Sequence, residues 1–497
     1  MGWKLPAKRK EAPKAARTGG QDNPVHPVDV HPVDEILPPG RLLAGALQHV
    51  ATMYAGVAAP PLIIGGALGL SAAEMTTLLG ASLLVAGLAT LLQTIGFMGI
   101  GSRLPFVNGV TFAVVSPILA VVASKGDATL PVVFGSTIIA GVFCFVLAPV
   151  FCRLVRFFPP VVSGTVITLI GVSLLPVAAN WAQGGNEHAP GYGSGENLAL
   201  AGITLASILV LHQVLTGFLQ RIAILLGLLV GTLAAIPFDK VDGDALADLP
   251  LFEVPQPFAF GAPEFDAAVI VSMLVVMIVC MTESTADIIA LGEVVEKPAD
   301  DRTIAGGLRA DGLATAFAGV FNGFACTAFA QNIGLVALTR IRSRFVVAAC
   351  GGFLVLMGLM PVVGGLVALV PQPVLGGAGV VLFGSVAVAG IRTLAKADLA
   401  DGPNALIVAV SLAFGVFPIA YPEFYAAFPD KVAMIAESGI SAGCIVAVVL
   451  NLAFHHVGRA SRSAGDADPG GGAGAEAGTA PVAAAEPGPS VGSPASV

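Results

Sequence analysis

From residue 42 to residue 455 the chain keeps returning to runs of about 20 residues with almost no charge. Residues 130–150 and 198–217 contain no Asp, Glu, Lys or Arg at all. A helix of roughly 20 apolar residues spans a hydrocarbon layer about 30 Å thick, so each run is long enough to cross a bilayer. Of the 497 residues, 56% are apolar and 11% charged, against roughly 25% charged in a soluble chain. That balance excludes a soluble enzyme and a nucleic-acid-binding protein. The expected fold class is an all-α polytopic membrane protein.

The ends read differently. Residues 1–40 are polar, basic and proline-rich, and residues 458–497 are rich in Gly, Ala and Pro. Neither has the apolar content to order itself, so both are expected as disordered tails around a domain at 41–457. No cleavable signal precedes the first apolar run, which is therefore expected to be a retained span. The six cysteines, Cys144, Cys152, Cys280, Cys326, Cys350 and Cys444, lie in or beside apolar segments without paired spacing. They read as packing residues, not as disulfides or a metal site.

About fourteen spans are expected. The clear ones run near 42–64, 74–97, 130–150, 160–178, 198–217, 221–237, 268–291, 345–369, 374–391, 403–420 and 431–455. Shorter or interrupted ones fall near 104–123, 305–322 and 324–340. With alternating spans and a cytoplasmic N-terminus, all of the 24 basic residues except Lys125, Lys240 and Lys431 fall inside, as the positive-inside rule requires. Both termini are then cytoplasmic. The long outside loop near 238–267 is acidic, with Asp239, Asp242, Asp244 and Asp248.

Two interrupted segments carry the most information. RLPFVNGVTFAVVSPI (103–118) and GFACTAFAQNIGLVALTR (323–340) each place an extended, polar or glycine-bearing stretch before a helical one. Lipid cannot satisfy irregular backbone, so such stretches must be buried in protein or line a cavity. They lie seven spans apart, in broken spans 3 and 10. An odd number of spans per half makes the halves an inverted 7+7 repeat, with a binding site at the repeat interface. Half-helices starting there would aim unpaired N–H groups at a polar ligand.

Ionisable groups within the spans are costly and mark function. His49 lies in ALQHVATMYAG, Glu283 and Asp287 in CMTESTADIIALG, and Asp311 in GGLRADGLATAF. Glu283 and Asp287 are spaced i, i+4 and share a helical face. Two carboxylates there can be charged on one side of a transport cycle and protonated on the other. Bland roles compete: His49 could bond a neighbouring helix, and Asp311 could cap its helix or brace a broken one. Glu283 resists such a reading, because its span offers no Lys or Arg. Gln331 and Asn332 open the second half-helix with amides that donate and accept together, which suits a heterocycle of alternating C=O and N–H groups. Phe112 and Phe329 flank the breaks and are placed to stack on a flat ring.

These motifs resemble one family. Gln331-Asn332-Ile333-Gly334 followed by Thr339-Arg340 matches the signature of the nucleobase–ascorbate transporters, and Gln48-His49 matches their first-span pair. Glu283 falls at their substrate-binding glutamate, and Leu308-Arg309-Ala310-Asp311-Gly312 resembles their ninth-span aspartate motif. The resemblance spans about residues 33–457. It implies a core (about 41–152 and 268–369) facing a gate (about 158–237 and 374–457), usually in a homodimer. It implies that Glu283 accepts ring N–H groups and Gln331 pairs with the opposite edge. Phe112, Phe329, Thr111 and Ala330 would line the pocket, with Asn332 at its side. His49, Asp287, Asp311 and Gln48 would support the site or proton coupling. Gln331 is similar to the purine branch, where uracil carriers have a glutamate, and Thr111 resembles urate carriers more than xanthine carriers. The implied function is proton-coupled symport of urate or xanthine across the inner (plasma) membrane, with no cofactor.

Two other classes compete. Sulfate and bicarbonate carriers of the same fold lack a mid-span Glu, and the sulfate carriers commonly have a folded domain after the last span. A membrane enzyme would need a convergent metal or nucleophile set, and the one His pair, His455-His456, lies at the end of the last span.

Overall fold

The computed structural model describes residues 31–125, 129–154, 158–187, 189–241, 249–400 and 402–457. Most of both expected tails (1–30 and 458–497) and Asp242, Asp244 and Asp248 of the acidic loop lie outside these residues. The first compact unit ends at Asn451, and of the second only a short helical turn at 452–457 is described.

Among the described residues, eight helices are long and apolar enough to cross a membrane, and a bent pair makes a ninth. In chain order, α1 (Pro39–Ala67) starts on Pro39, whose missing N–H costs nothing in a first turn. Next, α2 (Ala72–Ile95) opens with a capping box in which Ser71 and Glu74 satisfy each other's backbone N–H. The chain then breaks. Strand β1 (Asn108–Val110) leads through a 3₁₀ turn at Phe112–Val114 into the short helix α3 (Val115–Lys125). Then follow α4 (Thr129–Leu154), α5 (Pro160–Ser173), α6 (Leu175–Gln183), α7 (Gly195–Val214), α8 (Phe218–Arg221) and α9 (Ala223–Ala235).

Asp266 caps α10 (Ala267–Val294) by accepting from Ala268 and Val269 N–H at 2.8 and 3.3 Å. After α11 (Asp301–Val320), strand β2 (Cys326–Ala328) precedes the short α12 (Ala330–Thr339). Helices α13 (Arg344–Gly358) and α14 (Pro361–Ala368) form the bent pair, turned by 81°. Pro361 cannot continue the preceding helix, which places the bend there. The chain closes with α15 (Gln372–Leu394), α16 (Gly402–Ala420), α17 (Asp430–Glu437) and α18 (Gly439–Leu452).

Both segments expected to be irregular are so, and they meet. β1 and β2 pair antiparallel, Asn108 opposite Ala328, Gly109 opposite Thr327 and Val110 opposite Cys326. All six residues are buried, so backbone groups that lipid could not satisfy satisfy one another.

Packing between helices relies on small residues, since lipid gives apolar side chains no reason to associate. α4 lies against α11 with Gly141 and Gly312 at the closest approach. A Cβ at Gly312 would fall 2.5 Å from the Phe145 nitrogen, which is backbone and cannot yield. Gly312→Leu should cost more than the roughly 1–3 kcal/mol of ordinary overpacking. We expect no detergent-stable protein from it by size-exclusion thermal melting; an unchanged melting temperature would contradict this packing.

The N-terminal tail expected to run to residue 40 ends earlier. Residues 31–38 dock as a strap in which Val33 is fully buried. Asp34 bridges Lys297 at 3.1 Å and Arg344 at 2.7 Å, and Ser343 Oγ donates to the Glu35 carbonyl at 2.5 Å. Burial alone would raise the Asp34 carboxyl, but the two cations outweigh it and hold it below the usual carboxylate range. Polar composition hid this order, which comes from three specific contacts rather than from an apolar face.

Candidate functional site

Side chains from three helices clamp the paired strands. From α2, the Thr90 hydroxyl accepts the Asn108 N–H at 3.0 Å, and Gln93 Nε2 donates to Asp311 Oδ1 at 2.9 Å. From α11, Asp311 Oδ1 also receives Asn108 Nδ2 at 2.5 Å, and the Thr315 hydroxyl accepts the Cys326 N–H at 3.0 Å. From α10, Ser284 Oγ lies 2.8 Å from the Thr327 hydroxyl. Asp311 lies inside α11 rather than at its cap, is 1% exposed, and bonds to β1 through Asn108. Thr90, Gln93, Ser284 and Thr315 were not singled out from sequence. The available signal was polar residues in nearly chargeless spans, with Thr90 and Gln93 three apart on one face.

A second brace joins α1 to α12. Asn332 Nδ2 donates to the Pro105 carbonyl at 2.6 Å, so its Oδ1 faces His49 Nδ1 at 2.8 Å. A carbonyl can only accept, which fixes the amide's orientation and makes His49 Nδ1 the donor. Both residues are at most 1% exposed. The Asn332 amide is therefore engaged on both sides. Asn332→Ala would strand a buried imidazole N–H and a buried carbonyl, at about 1–3 kcal/mol each. A fall in melting temperature is expected; an unchanged one would mean the bridge carries no weight.

What remains unengaged sits together at the start of α12. Its N-cap, Phe329, supplies no capping side chain, so apart from the Asn332 N–H, which donates to the Phe329 carbonyl at 2.9 Å, the first-turn N–H groups and the positive helix end are left for a ligand. Ala330 and Gln331 are exposed. α10 packs on both β2 and α12, and the Ser284–Thr327 bond ties it to β2 at the residue that follows Glu283. Glu283 is half-buried, and among the described residues its carboxylate makes no hydrogen bond or ion pair. One turn on, Asp287 is also half-buried, with Oδ2 enclosed and unpaired.

The aromatic walls are largely buried. Phe329 packs over Gly109, where a Cβ would lie 2.7 Å from its ring. Phe112 meets Phe383 of α15 edge-on, with centroids 6.0 Å apart, and Phe383 in turn lies 6.3 Å from Trp181. Phe383 and Trp181 escaped sequence reasoning, because an aromatic residue in an apolar span gives no sign of what it faces. The Thr111 hydroxyl is engaged as a cap, accepting the Ala113 N–H at 3.2 Å. Gln48 lies elsewhere, on the wall of a crevice between α1, α13 and the α8–α9 segment that includes neither Glu283 nor Gln331. No group of three or more His, Cys, Asp or Glu placed to hold a metal occurs among the described residues.

Comparison with known proteins follows the same lines. Residues 40–424 match the model of the Xan_ur_permease family, described as a permease family. The chain is 41% identical over 459 residues to the uric acid transporter UacT of Escherichia coli (strain K12), covering 91% of this chain and 93% of that protein. It is 40% identical over 431 residues to the xanthine permease of Bacillus subtilis (strain 168), covering 86% and 97%. In fold it is similar to the transmembrane domain of the cyanobacterial bicarbonate transporter BicA. That match has a TM-score of 0.54 at 17% identity and covers 83% of this chain and 98% of that one. The architecture is thus shared with carriers of small inorganic anions, and fold alone does not choose between substrates. Sequence identity over nearly the whole length does choose the family: this chain is a polytopic membrane permease, not an enzyme, and belongs to the nucleobase–ascorbate transporters.

Proposed function

We propose that the chain is a proton-coupled symporter of a purine, urate or xanthine, working by alternating access between a core and a gate. The observation that carries this is the Glu283 carboxylate, half-buried and unpaired on α10, a helix that packs against α12 with its uncapped start. An oxidised purine presents N–H groups on one edge and alternating C=O and N–H groups on the other. Glu283 can accept the first edge, while the Gln331 amide and the α12 backbone N–H groups read the second. The names of the relatives, uric acid transporter and xanthine permease, support the same substrate class.

The helix packing supports the inverted repeat. Fourteen crossings follow if α5–α6 and α13–α14 each count as one and α3, α9, α11, α12 and α18 are added to the long helices. Relating each crossing to the one seven later turns the α4–α11 contact into the α13–α2 contact, and α7–α15 into α16–α5; all four are among the packed pairs. Antiparallel pairing of β1 with β2 is what a two-fold axis in the membrane plane would produce. Contacts also sort into two groups, α1, α2, α4, α10, α11 and α13 against α5, α6, α7, α9, α15 and α16, as a core and a gate would.

The two groups meet at one end. A Cβ at Gly66, near the end of α1, would lie 3.6 Å from Gln372 and 3.8 Å from Trp181, and Ser272 Oγ is 3.3 Å from Ser441 Oγ. At the other end of α1 a crevice of about 840 Å³ parts α1 from α8 and α9. Closed at one end and open at the other fits one limb of an alternating-access cycle. The basic residues at the open end would make it cytoplasmic. Asp287 and Asp311 each keep one buried oxygen without a partner, so either can take up the coupling proton.

The test is uptake of labelled urate into proteoliposomes, with xanthine, uracil or ascorbate as competitors and with or without a proton gradient. The reading expects gradient-driven uptake that xanthine competes and ascorbate does not. Uptake indifferent to the gradient would remove proton coupling, and competition by ascorbate or uracil alone would remove the purine assignment.

A further inference from the structure

The crevice at the open end has its own chemistry. Its walls are apolar, with Ala44 and Leu47 on α1, Ile222 and Leu225 at the α8–α9 junction and Met357 on α13; Arg41 stands at its end. Arg41 is exposed, and no carboxylate among the described residues pairs with it. Beside Ile222 in the chain, Arg221 keeps Nη1 buried with no hydrogen-bond partner. Leu47 of the lining and Leu43, Leu219 and Leu229 on the same helices are each about half exposed. The purine site is not part of this lining.

An apolar trough between spanning helices, with the unpaired Arg41 guanidinium at one end, matches the two parts of an acidic lipid. We propose that the crevice holds one anionic phospholipid, its acyl chain along α1 and α9 and its phosphate on Arg41. Basic pockets between membrane helices favour such headgroups, and a guanidinium fork suits phosphate oxygens. A zwitterionic choline lipid would bring a second cation to Arg41, which disfavours it. Because α1 and α9 belong to the halves that the transport reading sets in relative motion, the lipid acts as a wedge whose presence alters the turnover rate. This last consequence rests on that reading; the binding itself does not.

The experiment compares wild type, Arg41→Gln and Ala44→Phe in vesicles of phosphatidylcholine alone or mixed with phosphatidylglycerol. Lipid retained by the purified protein is read by native mass spectrometry, and labelled urate uptake is read in parallel. Wild type should retain one phosphatidylglycerol and show roughly fivefold faster uptake when it is present, on the scale of one basic side chain's attraction to an acidic headgroup. Both variants should lose the retained lipid and the stimulation, and Arg41→Gln should keep wild-type uptake in phosphatidylcholine. Equal retention by both variants, equal retention of phosphatidylcholine, or displacement by inorganic phosphate would overturn the proposal. Absence of urate uptake by wild type in every lipid would instead sink the carrier reading, while retention would still decide the lipid site.

Discussion

Glu283→Gln will lower purine uptake by at least about 100-fold at unchanged surface expression. In the proposed site the carboxylate accepts from two ring N–H groups, and hydrogen bonds to a charged group contribute about 1.5–3 kcal/mol each. An amide keeps the shape of the side chain but offers one acceptor, and it turns an NH₂ toward a ring N–H. A site built around polar partners rejects such a mismatch strongly. Glu283 braces nothing among the described residues, so the variant should fold and melt as wild type does. Uptake of labelled urate, normalised to protein in the membrane, reads the effect. Undiminished high-affinity uptake would remove Glu283 from the site.

Asp311→Ala should act in the opposite way, on the protein before it acts on transport. Asp311 Oδ1 receives both Asn108 and Gln93, and Gln93 in turn accepts the Ser102 N–H at 2.8 Å. Removing the carboxylate strands two buried donors in a region that water does not reach. Each buried donor left unsatisfied costs about 1–3 kcal/mol, together a large share of a stability of roughly 5–15 kcal/mol. We expect little folded protein in the membrane. Asp311→Asn retains an oxygen that can accept both donors, and it should fold. Thermal melting in detergent followed by size-exclusion chromatography distinguishes the two, and an Asp311→Ala protein as stable as wild type would refute the bracing role.

The contrast between these acids shows what could be read ahead of the coordinates. A charge inside an apolar run announces itself, because lipid makes its cost general; Glu283, Asp287, Asp311 and His49 all stood out that way. Which of them face a ligand and which hold the backbone was not legible, since both roles use the same residue types. The structure separates them by their partners: His49 and Asp311 have theirs, and Glu283 has none. The two broken segments were legible from glycine and polar residues at membrane depth, but their pairing was not, because nothing local specifies a strand's partner more than 200 residues away. Thr90 and Gln93 are quieter still, as neutral polar side chains are common in spans and bond their own helix. Phe383 carries no signal at all; its role exists only because the fold brings α15 against Phe112. The strap at 31–38 was misjudged for a similar reason, since its order depends on Lys297 and Arg344, far along the chain.

The central claim is that a purine is gripped at the break between β2 and α12 by Glu283, a mid-span acid left without a partner among the described residues. Equilibrium binding of labelled urate to purified protein tests it without reference to coupling or direction. Wild type should bind saturably, Glu283→Gln should not, and Arg41→Gln should bind as wild type does. Saturable binding of undiminished affinity in Glu283→Gln would contradict it.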